Sequence, residues 1–275
     1  MITNFFVQFY NNKISKLITF VFLGLFIWWV SIHFRGLTEG WENEYYTTAY
    51  SLLALLGGVY GLNYAKKWGG LKSTLGSALT MLSAGLLSQF IGTMLYSYYI
   101  FVLGVEVPYP SAGDIVFLIS ILLYIYGSYL IARISGASFS VQSLRSKIIA
   151  IAIPIVILLI SYAVFLNGYH PDWSNLVVTF LDFGYPIGQA IYLSIALLAL
   201  LFSKDILGGM MRKPIIMLIS ALILQFIADF AFSYQYAHST VYAGDFLDLL
   251  YTFSYFIMAI ALISIGNMFY KVQES

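Results

Sequence analysis

The sequence predicts an all-α integral membrane protein with eight transmembrane helices, and three observations carry that prediction. Hydrophobic residues make up 61% of the 275 positions and charged residues 9%, a balance that soluble domains of this length do not reach. The apolar residues gather in eight runs, each near the length of about 20 residues that a helix needs to cross roughly 30 Å of hydrocarbon. Basic residues occupy alternate connections between the runs, as they do where loops stay on the cytoplasmic side.

The first run, about 15–34, is too long for a signal peptide, ends in WWVSIHFRG and has no small-residue cleavage site, so it counts as a span. The second, 46–65, contains GGVYG at 57–61, which reads as a close helix contact rather than a ligand loop. The third covers 78–102, and the fourth, 113–132, opens behind PYPSAGD. The fifth and sixth, 147–166 and 175–202, carry Pro154 and Pro186, both read as kinks. The seventh is 214–236, and the eighth, 246–268, opens behind YAGD. The connections are too short for a further domain, so 1–275 reads as one membrane domain. Tyr and Trp near the span ends fit interfacial belts. With no cysteine in the chain, disulfides, thiolate metal sites and lipidated cysteines are excluded.

Twelve of the thirteen basic residues fall on the side of the two termini, with Arg35 alone opposite. Ten of the twelve acids, all but Asp205 and Glu274, belong to the other side or to the membrane half beside it. Both termini are therefore expected in the cytoplasm of a multi-pass plasma-membrane protein. The basic loops read as topology signals in contact with anionic headgroups of the lipid bilayer, not as a nucleic-acid surface.

One phrase occurs twice. SQFIGTMLYSY at 88–98 returns as LQFIADFAFSY at 224–234, with Gln89 matching Gln225 at an offset of 136. AGDIVFLISILLYIYGSYLIA, opening the fourth span, has a counterpart in AGDFLDLLYTFSYFIMAIALI, opening the eighth, at an offset of 131. These matches point to a duplicated four-helix unit, with pseudo-repeats at about 15–134 and 147–268. Four crossings return the chain to its starting side, so the halves are expected as parallel repeats.

Where the copies differ, the second has Asp229 in place of Thr93. An ionised carboxylate in hydrocarbon costs several kcal/mol, so acids within spans face a bundle interior or a wet cavity. Asp229 and Asp182 both lie roughly 11 Å down from the acidic end at a rise of about 1.5 Å per residue. In the sixth span Asp182, Tyr185 and Gln189 share one face at i, i+3 and i+7, and Pro186 cannot donate to the Asp182 carbonyl. In the seventh, Gln225 and Asp229 pair at i, i+4. In the eighth, Asp248, Thr252 and Tyr255 form a third stripe. Together these residues are expected to line one outward-opening pocket for a cation, an amine or a proton, with Gln89, Asp114 and Asp245 as a second tier. Asp114 and Asp245 stand where helices begin and have a competing role as caps. Asp182 and Asp229 have the alternative of neutral carboxyls hydrogen-bonded to Tyr or Gln.

Enzyme signatures are weaker. His33, His170 and His238 form neither HxxxH nor HExxH, which leaves a zinc hydrolase with little support. No lysine lies inside the seventh or eighth run to form a Schiff base, and GxSxG, Walker and dinucleotide motifs are absent from the sequence, so no cofactor is expected. Two acids in a polar pocket leave open an aspartate-dependent lipid hydrolase.

The runs PYPSAGDIVFLI, LDFGYPIGQAIYL, ADFAFSY and GDFLDLLYTFSYFIMAIAL resemble the multi-helix N-terminal membrane sensory region of bacterial diguanylate cyclase and histidine kinase proteins. The resemblance covers about residues 80–268. It maps that family's recurring Pro-Ser-x-x-Asp, Asp-x-x-Tyr-Pro, Ala-Asp and Leu-Asp elements onto Pro110, Ser111 and Asp114, onto Asp182, Tyr185 and Pro186, onto Ala228 and Asp229, and onto Leu247 and Asp248. It implies a sensory role. Such regions feed a cytoplasmic output domain, whereas YKVQES alone follows the eighth run, so a separate cytoplasmic signalling partner is expected. The leading expectation is a membrane sensor or ligand-binding module. A small cation- or proton-coupled transporter is the second, and the lipid hydrolase the third.

Overall fold

The computed structural model describes residues 12–134, 144–163, 173–202, 212–237 and 240–274. Among these residues the protein is built from helices alone: α1 (Lys13–Phe34), α2 (Trp41–Ala49), α3 (Ser51–Lys67), α4 (Thr74–Ser97), α5 (Ala112–Ile134), α6 (Leu144–Ser161), α7 (Leu176–Phe202), α8 (Arg212–Ala237) and α9 (Phe246–Glu274). Seven of them, α1 and α4 to α9, are long and apolar enough to cross a membrane. With exposed apolar side chains such as Phe20, Leu23, Ile27, Ile148, Ile151 and Ile155, the molecule is a multi-pass membrane protein whose outer surface suits lipid rather than water.

Helix starts follow local chemistry. Asn12 caps α1, its side-chain oxygen accepting from the backbone N–H of Ile14 at 2.7 Å and Ser15 at 3.2 Å. Ser73 caps α4 through the Gly76 N–H at 2.9 Å, and Asn175 caps α7 through Val178 at 3.3 Å. Each satisfies N–H groups that a helix leaves without an internal partner. The last turns of α4 widen into a π-helical segment, Tyr98–Leu103, which Gly104 stops at a φ of 64°, a conformation glycine adopts freely.

The second run begins earlier than its hydropathy indicates. WENEYYTTA, too polar to count as a span, forms α2, and the Tyr50 N–H still donates to the Tyr46 carbonyl at 3.1 Å, so α2 and α3 make a nearly continuous rod. The fifth run is α-helical over Leu144–Ser161, and its expected end at 166 lies outside the described residues.

Six helices close a ring in the order α3, α4, α5, α7, α8, α9 and back to α3. Helix α1 lies outside against α9, where Phe22 stacks on Phe256 with centroids 4.1 Å apart and meets Phe253 edge-on at 5.0 Å. Helix α6 lies outside against α7. The GGVYG run is where α3 meets its neighbours most closely: a Cβ at Gly57 would stand 2.6 Å from the Ala259 Cβ, so glycine is what lets α3 and α9 approach. At the far end from the acids, Asn12 and Tyr64 both donate to the Asn267 side-chain oxygen at 2.9 Å, and Trp68 Nε1 donates to the Ile265 carbonyl at 3.1 Å. The start of α1, the end of α3 and the final turns of α9 are thus clasped at one end of the ring.

Candidate functional site

At the opposite end, α5 and α9 begin with the same device. The Ser111 hydroxyl accepts from the Asp114 N–H at 3.3 Å, and the Asp114 carboxylate reaches back to the Ser111 N–H at 2.6 Å. Asp245 Oδ1 accepts from Leu247 N–H at 2.8 Å and Asp248 N–H at 3.3 Å. Asp248 Oδ2 reaches back to Gly244 N–H at 2.7 Å. The first is a reciprocal N-terminal cap, and in the second the returning carboxylate takes the N–H of Gly244, one residue before the cap. They pair Ser111 with Asp245 and Asp114 with Asp248, a register different from the AGD-to-AGD match of the sequence.

The carboxyl of Asp229, on α8, is held from three helices. Gln225, one turn earlier on α8, donates to Oδ1 at 3.0 Å, Tyr251 of α9 donates to the same oxygen at 2.9 Å, and Tyr192 of α7 donates to Oδ2 at 3.3 Å. Ser254 of α9 shares its proton between the Gln225 side-chain oxygen at 3.0 Å and the Ala221 carbonyl at 3.1 Å, with the amide nitrogen turned toward Asp229. Gln225 and Tyr192 are buried, whereas Asp229 and Tyr251 keep part of their surface accessible.

A second polar group crosses the ring beside it. Ser120 of α5 gives its proton to the Phe117 carbonyl at 2.6 Å and accepts from the Gln89 amide at 2.7 Å. Gln89 therefore presents its oxygen to Tyr255 of α9, whose hydroxyl donates at 3.0 Å. Three rings link the two acids of α8 and α9: Tyr50, Tyr251 and Tyr255 lie with centroids 5.9 to 6.2 Å apart, with Tyr251 on Asp229 and Tyr50 beside Asp248.

The remaining expected site residues have partners of their own. Asp248 accepts from Thr47 of α2 at 2.6 Å. Thr252 donates to the Asp248 carbonyl at 2.7 Å and shares a bond of 3.0 Å with Tyr46, so the Tyr46 hydroxyl supplies that proton. Asp182 accepts from Tyr109. Tyr185 donates to the Asp114 carbonyl at 2.6 Å, and Tyr96 to an Asp114 carboxylate oxygen at 2.6 Å. Gln189 is buried on α7. The three stripes thus resolve into an Asp229 group, an Asp248 group and an Asp182–Asp114 group. Tyr124, Tyr192, Tyr251, Ser254, Tyr50 and Thr47 were missed by the sequence reading. The available signal was position: Tyr251 and Tyr192 fall on the Asp248 and Tyr185 faces at helical spacing.

Around this end, burial raises the Asp245 carboxyl above its ordinary range against the pull of the Asp248 and Leu247 N–H groups, and raises Glu44. Arg35 forks onto both oxygens of Glu42, with Nη1 to Oε2 at 2.9 Å, and Trp28 Nε1 adds a bond of 3.1 Å. The hydrogen bond from Arg35, then that from Trp28, holds Glu42 below the usual carboxylate range, and Arg35 is raised in turn. His33 stacks on Trp29 at 4.2 Å. His170, His238, Asp172, Lys204 and Asp205 lie outside the described residues. Among the described residues no three His, Asp or Glu side chains gather as a metal site. No protein-family model, curated protein or solved structure matches the chain, so its function is argued from the chemistry of these groups alone.

Proposed function

We propose that the protein is a membrane sensor or ligand-binding module in which the Asp229 group takes a cation, a protonated amine or a proton from the outer side. One observation carries this reading: a carboxyl within a membrane span, held by donors from α7, α8 and α9 and still partly accessible. A carboxylate so placed costs several kcal/mol unless a positive charge or a proton meets it, and a ligand that does so draws three helices together. Binding then shifts the packing of the ring by its differential affinity for the two arrangements.

Two further features belong to the proposal. Helix α3, at 17 residues, spans about 26 Å and with α2 serves as an eighth crossing. The chain is then two parallel four-helix repeats with both termini cytoplasmic. Supporting this, the contacts of α3 with α4, α4 with α5 and α5 with α7 are mirrored by α7 with α8, α8 with α9 and α9 with α3, and the caps of α5 and α9 share a register. The resemblance to bacterial sensory regions supports a signalling role over transport.

The test is a thermal-shift series on detergent-purified protein against inorganic cations, amines and pH. A ligand that raises the melting temperature of wild type and of Asp182→Asn, but not of Asp229→Asn, is the expected result. An unchanged response in Asp229→Asn overturns the assignment.

A further inference from the structure

The same pair of side chains occurs twice in the ring, in two orientations. Gln89 and Ser120 stand in α4 and α5 where Gln225 and Ser254 stand in α8 and α9. Each glutamine opens a Gln-Phe-Ile, and each serine lies six residues after its helix-start aspartate, Asp114 or Asp248. In the first pair the serine accepts. Ser120 gives its proton to the Phe117 carbonyl at 2.6 Å and takes the Gln89 amide nitrogen at 2.7 Å, so the amide oxygen is turned to an O–H donor, the Tyr255 phenol at 3.0 Å. In the second pair the serine donates to the glutamine oxygen at 3.0 Å, and the amide nitrogen is turned to the Asp229 carboxylate, also at 3.0 Å.

Ser254 is equipped for either role. The Ala221 carbonyl lies 3.1 Å from its hydroxyl, so it can release the Gln225 oxygen, keep its own proton bonded, and accept from the Gln225 nitrogen as Ser120 accepts from Gln89. The groups on Asp229 fit its ionised form: Gln225, Tyr251 and Tyr192 all donate to it. They present hydrogens, the wrong pole for a metal or ammonium cation. A proton is different, because a neutral carboxyl carries an O–H that needs one acceptor. If Tyr192 or Tyr251 turned to accept it, that phenol would give up the bond its own proton now makes. Gln225 turns without loss.

Helices α9, α7 and α5 pack on α8, and the titratable groups they bring are mostly phenols. Behind Tyr192 lies Tyr124 of α5, its ring 6.0 Å away. Behind Tyr251 lie Tyr255 and Tyr50, at 6.1 and 6.2 Å, with Asp248 one turn earlier on α9. Tyr185 and Asp182 of α7 are engaged with Asp114 and Tyr109, and Arg212 and Lys213 stand at the opposite end of α8.

We propose that the ligand of Asp229 is the proton, and that the Gln225 amide turns with it. Ionised Asp229 takes the amide nitrogen. Protonated Asp229 gives its O–H to the amide oxygen while the nitrogen passes to Ser254, the arrangement that Gln89, Tyr255 and Ser120 already hold. The proton comes from water and adds to Oδ1, the oxygen that Gln225 and Tyr251 share, and no covalent bond breaks. The proposal rests on the Asp229 reading above and narrows its ligand.

Infrared difference spectra of the full chain in detergent, between mildly alkaline and mildly acidic buffer, test this with isotope-labelled glutamine in wild type, Asp229→Asn and Gln225→Met. On acidification wild type is expected to gain the C=O band of a protonated carboxyl that Asp229→Asn lacks, and to shift a glutamine amide band with the same midpoint. Gln225→Met should lose that amide shift. Asp229→Asn should fold, because its amide N–H takes the place of the carboxyl O–H, and it is expected to hold the glutamine band at the acidic position at every pH. A carboxyl band without an amide shift, or a shift that persists in Gln225→Met, overturns the turning of Gln225. If no Asp229 carboxyl band changes with pH, but sodium or ammonium chloride raises the melting temperature of wild type and not of Asp229→Asn, the proton proposal falls and the Asp229 site stands. If neither occurs, both fall.

Discussion

Tyr255 of α9 donates a hydrogen bond of 3.0 Å to Gln89 of α4, 166 positions away in the chain, and this bond spans the ring between its first and second halves. Gln89→Leu strands a buried phenol proton and the Ser120 acceptor, at a cost of about 1–3 kcal/mol each for groups left unpaired. Adding Tyr255→Phe should return part of that loss. Hydrogen bonds between membrane helices couple by about 0.6 kcal/mol on average and reach about 1.7, and a double-mutant cycle on detergent unfolding is expected in the upper part of that range. A coupling near zero would show that the bond is incidental.

Two glycine-to-alanine changes should act in opposite directions. The added carbon of Gly57→Ala meets the Ala259 Cβ at 2.6 Å and Cα at 3.0 Å, atoms with no flexible end to move aside, so α3 and α9 must separate at a cost of about 1–3 kcal/mol. Gly24→Ala on α1 meets nothing within 4 Å and gains roughly the 0.5–1 kcal/mol of helix propensity that glycine lacks. Melting temperatures of the two variants, one falling and one rising, check the packing.

Asp245 predicts a pH slope. Its carboxyl is raised by burial in the folded protein, so the native state holds this proton more tightly than the unfolded chain does. Its contribution to stability is then fullest below the ordinary carboxylate pKa of about 3.9, declines as pH rises through the folded value, and is level above it. The N–H groups of Asp248 and Leu247, the Gln235 side chain and His33 all pull it the other way, by less than burial raises it. Asp245→Asn keeps an N-cap side chain and should remove this decline from a melting-temperature profile. Asp245→Ala should also lose about 1 kcal/mol of capping.

The chain has no cysteine, which makes its orientation directly testable. Exposed Glu39 and Lys72 bracket α2 and α3, the segment proposed as the eighth crossing. In intact cells a membrane-impermeant maleimide should label Glu39→Cys and spare Lys72→Cys until the membrane is opened. The reverse pattern would turn the protein over.

Seven of the eight expected spans were legible because about twenty consecutive apolar residues leave a chain few alternatives. Helix α2 was not, because WENEYYTTA is too polar to be told from a loop until Tyr46 and Thr47 are seen bonding to α9. The Gln225–Asp229 pair could be read from spacing alone. Tyr192, Tyr251 and Tyr124 could not: an apolar ring with a polar tip suits an interfacial belt and a polar interior equally, and the chain has 23 tyrosines. The AGD match sets Asp114 against Asp245, whereas by position at the helix start Asp114 corresponds to Asp248, Ser-x-x-Asp at Ser111 standing where Asp-x-x-Asp stands at Asp245.

Helix α9 closes the ring against α3 and α8 and also holds α1, and it is the last of the nine to leave the ribosome. During synthesis α2 and α4 are made while Tyr46 and Gln89 still await their partners on α9. Until α9 is made the ring cannot close, and those polar groups lack the partners the finished fold gives them. Assembly is therefore a single late event rather than a sequence of independent hairpins, and an insertase or chaperone that shields these groups would govern the yield of finished protein.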